Sequence, residues 1–474
     1  MRSAHPSLVW ALSLLACGTV APSPPEVRAP EAPIEAATIL APSPVVPAGS
    51  VEARSALLTA SPAAAVAVGA SATPVTPIAL DEALLAAARG HQAEFQRDLA
   101  TLVSIDSGTD DAPGLARVAA WLKARLKALG AETVVSPAPP SAGPLVRATF
   151  HGKGRKRLLL LAHFDTVFGH GEAAKRPFRI EGGRAFGPGV ADAKGGVALV
   201  LHALALAKAR GFVDYQSLTV LFNPDEEKGS FGSRELIRSL SAEADAVLSY
   251  EPPDGERVIV ATNGIAFVEL DVKGRAAHAG AAPEKGRNAS LELAGQIMQL
   301  RDLGDARKGT TVNWTLLKGG DRANIIPEHA HATADMRLSD PSEAERVQSD
   351  ANRIIEKHFI PDTQVTVTVD PRRPPFARNP ASEGLALLAR QIYLGLERPL
   401  EAVAMRYGTD AGFAYHPGSA KPAVLEGLGI VGDGLHSPEE WADLASVPPR
   451  LYLTVRLLET LARGAPDSTR PAGD

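Results

Sequence analysis

Five places in the chain present residues that can hold a cation or move a proton. The apolar run Leu158 to Leu161 leads into His163-Phe164-Asp165, and Asp192 stands just before Lys194-Gly195-Gly196. A second apolar run, Leu218 to Phe222, leads into Asn223-Pro224-Asp225-Glu226-Glu227. A third, Ala246 to Tyr250, leads into Glu251, and a fourth, Ala423 to Leu428, runs on to His436. Two histidines with three carboxylates suit Zn²⁺, which takes imidazole and carboxylate ligands and keeps a position open for water. A pair of such ions about 3.5–4 Å apart can clamp a nucleophilic water and a carbonyl oxygen. One bridging carboxylate then leaves two terminal ligands for each ion. On an extended backbone His163 and Asp165 face the same side. One can bind metal while the other orients it from behind. Glu226 and Glu227, adjacent on an extended backbone, point apart. One can bind metal while the other faces the water as general base, a role that a ligand cannot share.

These residues must be brought together by the elements that carry them. The apolar runs have the length of strands buried on both faces. In open α/β sheets ligands gather outside the carboxyl ends of the strands, so distant residues can converge there. Between the runs lie helical patterns at 81–104, 114–129, 197–210, 231–240, 382–396 and 447–463. Strands alternating with helices predict an α/β fold, a mostly parallel sheet with helices on both faces. From about Asn263 the pattern changes. Val268, Leu270 and Val272 alternate with Glu269, Asp271 and Lys273, the mark of a strand with one wet face. A helix at 288–303, strands at 311–317 and 329–338, a helix at 341–358 and a strand at 364–370 follow. That β-α-β-β-α-β order predicts an inserted ferredoxin-like α+β domain. The expected organisation is a catalytic domain over 80–262 and 372–474, with the insert over 263–371.

The chain has 474 residues, 45% hydrophobic and 22% charged, with a net charge of −5. That balance offers no basic face for nucleic acid. Beyond the N-terminus no apolar run is long enough to span a membrane. Residues 1–17 have a basic start and a short apolar core, as a signal peptide does. Cys17, the only cysteine, stands where a bacterial lipoprotein signal is cleaved and lipidated. A single cysteine excludes a disulfide framework and a Cys-held zinc site. Residues 18–79, rich in Pro and Ala, read as a disordered tether. The expectation is an exported protein, periplasmic or held to the envelope by lipid.

The segments AHFDTV, GPGVADAKGG, NPDEEKGSFGS, SYEP, GRAAHAGAAPEKGRNA, NIIPEHA and GLHS together resemble the zinc aminoacylase and carboxypeptidase G family of metallopeptidases. Within that family they look like the bacterial glutamate carboxypeptidases. The resemblance implies two Zn²⁺ per subunit, with His163 and Glu251 on one, Glu227 and His436 on the other, and Asp192 bridging. It implies Glu226 as general base and Asp165 as the residue that orients the metal-bound imidazole. It also implies that the insert is a lid that forms a homodimer, and that His278 reaches the neighbouring subunit's site. Asn324 and Arg337 match lid residues that hold the substrate carboxylate, and Arg373 matches a carboxylate-binding arginine near the hinge. Arg257 and Ile259 stand where the glutamate-specific branch has a lysine and a serine. The implied reaction is hydrolysis of the amide to a C-terminal amino acid with a free carboxylate. N-acyl amino acid amidohydrolase or dipeptidase activity from the same site is the alternative. A small peptide or N-acyl amino acid is the implied substrate.

Overall fold

The computed structural model of the protein describes residues 75–464. The signal read at 1–17, with Cys17, and the tether up to residue 74 lie outside the described residues. Among the described residues no helix is long and apolar enough to cross a membrane.

A six-stranded sheet runs in the order Glu132–Pro137, Pro144–His151, Ser217–Asn223, Arg157–His163, Ala246–Ser249, Ala423–Leu425. The last four strands are parallel. The first two pair antiparallel and join the sheet antiparallel at one edge. Leu158 and Leu160 pack into one apolar cluster, Leu159 and Leu161 into another on the opposite face. The continuous leucine run is thus the signature of a strand covered on both sides. Each such buried side chain contributes about 1.5–3 kcal/mol.

The helix Lys194–Ala209 is buried on nearly every side, between the sheet and the helices Gln92–Val103 and Val447–Arg463. Two glycines at its start permit this approach. A Cβ on Gly196 would sit 2.1 Å from the carbonyl oxygen of Tyr250, and one on Gly195 would sit 2.3 Å from Ile430 Cγ2. Close packing there brings Asp192 beside the end of the strand that carries Glu251.

The helical pattern at 81–104 divides into Glu82–Gly90 and Gln92–Val103. The break falls at His91, straight after Gly90, the weakest helix former after proline. The structure also contains elements the periodicity does not reveal. Arg257–Thr262 pairs in parallel with Glu401–Met405, and four strands of two or three residues form a small sheet.

The inserted domain has four antiparallel strands in the order Thr311–Gly319, His329–Leu338, Gly264–Lys273, Gln364–Arg373. Helices Ala289–Leu300 and Ser342–Ile355 cover the face that carries Val268, Leu270 and Val272. Glu343 ties the second helix to the loop before the strand Thr311–Gly319: it accepts from Thr310 Oγ1 at 2.8 Å, and also from the guanidinium of Arg346 on its own helix at 2.7 Å. The Arg346 hydrogen bonds hold its carboxyl down at about 2, against an ordinary 4.5. A depressed folded-state pKa gives stability that is complete above the ordinary value and lost as pH falls through the folded one. Glu343→Gln should therefore cost about 1.5–3 kcal/mol at neutral pH, as expected for hydrogen bonds to a charged group. The gap to wild type should close between pH 4.5 and about 2. Thermal melts of both proteins across that range check this; a gap that does not vary with pH removes the ionic contribution.

Candidate metal centre and active site

His163 ends its strand, in register with Asn223 on the neighbouring one. Its Nε2 lies 3.0 Å from Asp192 Oδ1 and 3.5 Å from Glu251 Oε2. The other oxygen of Asp192 lies 3.2 Å from His436 Nε2, and that nitrogen is 3.1 Å from Glu227 Oε2. Asp192 thus places one oxygen against each imidazole. Donor atoms of His163, Asp192 and Glu227 lie within 4.8 Å of one another, as do those of His163, Glu226 and Glu251. His436 is carried by a turn with φ +61°, a conformation that costs a non-glycine residue about 1–3 kcal/mol.

The charge balance of this group fits a divalent cation. Burial pushes the Glu251 carboxyl up to about 8 and raises Glu226 well above the carboxylate range. Glu227 is also raised by burial. Hydrogen bonds to Asp192 and Glu227 raise His436 to about 10. Burial opposes ionisation of Asp192, yet the two imidazoles hold it below its ordinary value. Four crowded carboxylates facing two imidazole edges are groups that a bound cation satisfies in the ionised form, with the imidazoles neutral.

Asp165 stands behind His163. The imidazole Nδ1 is 3.1 Å from its carbonyl oxygen and 3.3 Å from Oδ1. The same carboxylate accepts from Thr109 Oγ1 and from the backbone N–H groups of Glu226 and Glu227. These last two contacts correct the expectation of an extended backbone at the glutamate pair. Glu226–Lys228 is a 3₁₀ turn closed by Gly229 at φ +96°, because one carboxylate gathers both N–H groups. The two side chains still diverge, Glu227 to His436 and Glu226 to Arg373. Asp165→Asn should keep the fold and lower metal affinity about 10–100-fold, as loss of a carboxylate behind a ligating imidazole does. Metal retention against a competing chelator measures this, and unchanged retention would remove Asp165 from the role.

Several supporting residues were not foreseen. Glu440 is buried and accepts from the N–H groups of Gly189, Ala191 and Asp192 at 2.8, 2.9 and 3.0 Å, so it shapes the loop that presents Asp192. Burial raises its carboxyl to about 7. Lys194 is buried and donates to the carbonyl of Ile105 at 2.9 Å. Glu426, fully buried, accepts from the N–H of Glu251 at 3.2 Å. Asp410 accepts from Asn223 Nδ2 at 2.7 Å. The signal within reach was positional: Glu440 lies four residues after His436, and Lys194 two after Asp192.

Arg373 lines the cavity beside Glu226; its Nη1 is paired with Glu226 Oε1 and its Nη2 donates to the Glu226 carbonyl at 2.7 Å. Asp410 Oδ1 stands 3.5 Å from the same Nη1, and the residue is 4% exposed. Its terminal nitrogens are taken up by this chain's own groups. Arg337 lies across a cavity of about 650 Å³ whose walls also include Glu226, Glu227, Tyr407 and His436. Asp335 engages its Nε and Nη2 at 2.8 and 3.0 Å. His278 is exposed and pairs with Ile325 in a two-stranded ribbon, next to Asn324. Neither His278 nor Asn324 lines this cavity. Arg257 is engaged by Asp254 and Glu401, and Ile259 is fully buried.

Residues 159–460 match the description "Peptidase family M20/M25/M40". The chain belongs to peptidase family M20/M25/M40. It is 41% identical to carboxypeptidase G2 of Pseudomonas sp. (strain RS-16) over 397 residues, 81% of this chain and 93% of that protein. It is 26% identical to acetylornithine deacetylase of Photorhabdus laumondii, over 76% of this chain and 92% of that one. The fold is shared with aminopeptidase PepT from Bacillus cereus (TM-score 0.64, 21% identity, 78% of this chain and 99% of that one). It is shared also with human carnosine dipeptidase 1 (TM-score 0.61, 16% identity, 81% and 100%). As an M20 protein the chain is a metal-dependent hydrolase of the exopeptidase and amidohydrolase class, in an α/β fold with an inserted lid.

Proposed function

We propose that this M20 enzyme is a dizinc exopeptidase that hydrolyses the amide bond to a C-terminal amino acid bearing a free carboxylate. The observation that carries this reading is the shared cavity, with Glu226, Glu227 and His436 on one wall and the lid arginine Arg337 on another. In this reading His163, Glu251 and Asp192 hold one zinc, and Glu227, His436 and Asp192 the other. When bound, the ions polarise the scissile carbonyl and acidify a water. Glu226 takes the proton of that water and delivers it to the leaving amine. Arg337, with Nη1 left over from its pairing to Asp335, grips the substrate carboxylate through a charge-assisted hydrogen bond. A panel of N-acyl amino acids, each with free and amidated C-termini, with and without chelator, tests this. Turnover that needs metal and the free carboxylate is expected; equal turnover of amidated substrates would overturn it.

A second reading is an N-acyl amino acid amidohydrolase or dipeptidase built on the same centre. It is favoured by the engaged Arg257 and the buried Ile259, which leave the glutamate end without those two contacts. The relative named acetylornithine deacetylase points the same way, and the panel's ranking separates the two.

We also infer a homodimer formed through the lid. The edge strand Thr311–Gly319 pairs on one side only and exposes Leu316 and Leu317, a surface that proteins ordinarily cover. His278, which does not line its own subunit's cavity, would then serve the neighbouring site as an oxyanion donor. Mixing Glu226→Gln with His278→Ala protein should restore activity that neither has alone, since one site of each mixed dimer is intact. No restoration after subunit exchange would place His278 in its own subunit's site or outside catalysis. The signal and Cys17 carry the further proposal of an exported, envelope-held enzyme.

A further inference from the structure

A second group of metal-ligating side chains lies apart from this centre, where the helix Gln92–Val103 packs on Lys194–Ala209. His202 is 2% exposed, and its Nε2 is 3.1 Å from Asp98 Oδ2, a carboxylate that Arg125 shares. An ionised carboxylate only accepts, so Nε2 carries the proton and the lone pair of the neutral ring is on Nδ1. That Nδ1 is 3.3 Å from Nδ1 of His91. The two rings stand at 83° to each other, edge to face and not stacked. Glu94, three residues after His91, brings a carboxylate oxygen within 4.8 Å of one ring nitrogen of each histidine. Two nitrogens on a tetrahedral zinc, with bonds of about 2.0–2.1 Å, lie about 3.3–3.4 Å apart. Burial, together with the neighbouring imidazole, lowers the pKa of His91 and favours the neutral, ligating form. His91 is half-buried and Glu94 exposed, so an ion can enter and keep a water.

We propose that His91, Glu94 and His202 bind a divalent transition-metal ion of the zinc class, with Asp98 fixing the tautomer of His202. Imidazole with carboxylate suits zinc better than the harder calcium or magnesium. The ion would staple the helix Gln92–Val103 to Lys194–Ala209, away from the active centre. The competing account is a bare hydrogen bond between the two imidazoles.

The test uses the full chain, stripped with chelator and equilibrated with zinc buffered in the micromolar range. Metal is counted by mass spectrometry on wild type, His91→Ala, Glu94→Gln and His436→Ala. Wild type should hold one zinc more than His91→Ala, and Glu94→Gln should bind that zinc at least about tenfold more weakly, as altered metal-site partners do. His436→Ala should keep it while losing metal from the active centre. Because the result is a difference between proteins, it stands whether the active centre holds two zincs or fewer. Zinc should also raise the melting temperature of wild type more than that of His91→Ala. His91 makes no side-chain cap to its helix, so the variant should fold and keep wild-type turnover. Equal zinc counts in wild type and His91→Ala would overturn the proposal. So would a difference that arises only at millimolar zinc, which marks an adventitious ion only.

Discussion

Glu226→Gln should lower kcat by about 10²–10⁴-fold, the usual contribution of a general base, while the protein keeps its full metal content. Glutamine preserves the shape of the side chain and its amide oxygen can still accept from Arg373 Nη1. It cannot take a proton from water. The metal count matters because Glu226 also lies within ligand distance of His163 and Glu251. Were Glu226 a ligand, the variant would lose metal together with activity. Equal metal with lost kcat and little change in KM is the pattern of a group that acts in the transition state. Retained turnover would transfer the proton to another group and remove Glu226 from the role.

His163, Glu226, Glu227 and Glu251 were legible because each stands at or just after the end of a strand whose pattern is local, and Asp192 because it stands just before a helix. Four leucines before His163 are enough to predict a doubly covered strand, and the sheet then brings His163 and Glu251 to one edge. The lid was legible for the same reason: alternation along 264–273 is a property of ten consecutive residues. What supports the centre was not legible. Glu440 meets Asp192 across 248 positions, and Arg373 meets Glu226 across 147. Those pairings follow from how loops return over the sheet, and no periodic pattern encodes that. The 3₁₀ turn at Glu226–Lys228 was missed because Asp165 creates it from 61 residues away. A local rule for adjacent residues could not include that carboxylate.

Arg373→Met should cost about 3–5 kcal/mol of stability, because it strips the cation from a buried pair and leaves its carboxylates uncompensated. The pairing also has a catalytic consequence. Arg373 is the last residue of the lid's edge strand, and its guanidinium holds both the carboxylate and the carbonyl of Glu226. Burial already drives the Glu226 carboxyl upward, and Arg373 opposes that drift. Without Arg373 the carboxyl rises further, so a base that works ionised needs a higher pH. The acid limb of kcat/KM should move to higher pH, with kcat reduced more than KM is raised. An arginine that grips the substrate carboxylate predicts the reverse: a large rise in KM, an unmoved acid limb and little loss of stability. Melting curves and pH profiles of Arg373→Met, with Arg337→Met as the substrate-binding comparison, distinguish the two roles. The comparison has force because both arginines line the cavity, yet Arg337 is 32% exposed and Arg373 only 4%. With Glu226 as the proposed base, a hinge residue that sets its ionisation would also tie the lid's attachment point to the proton transfer. Displacing that strand end would weaken the base before any substrate contact changed.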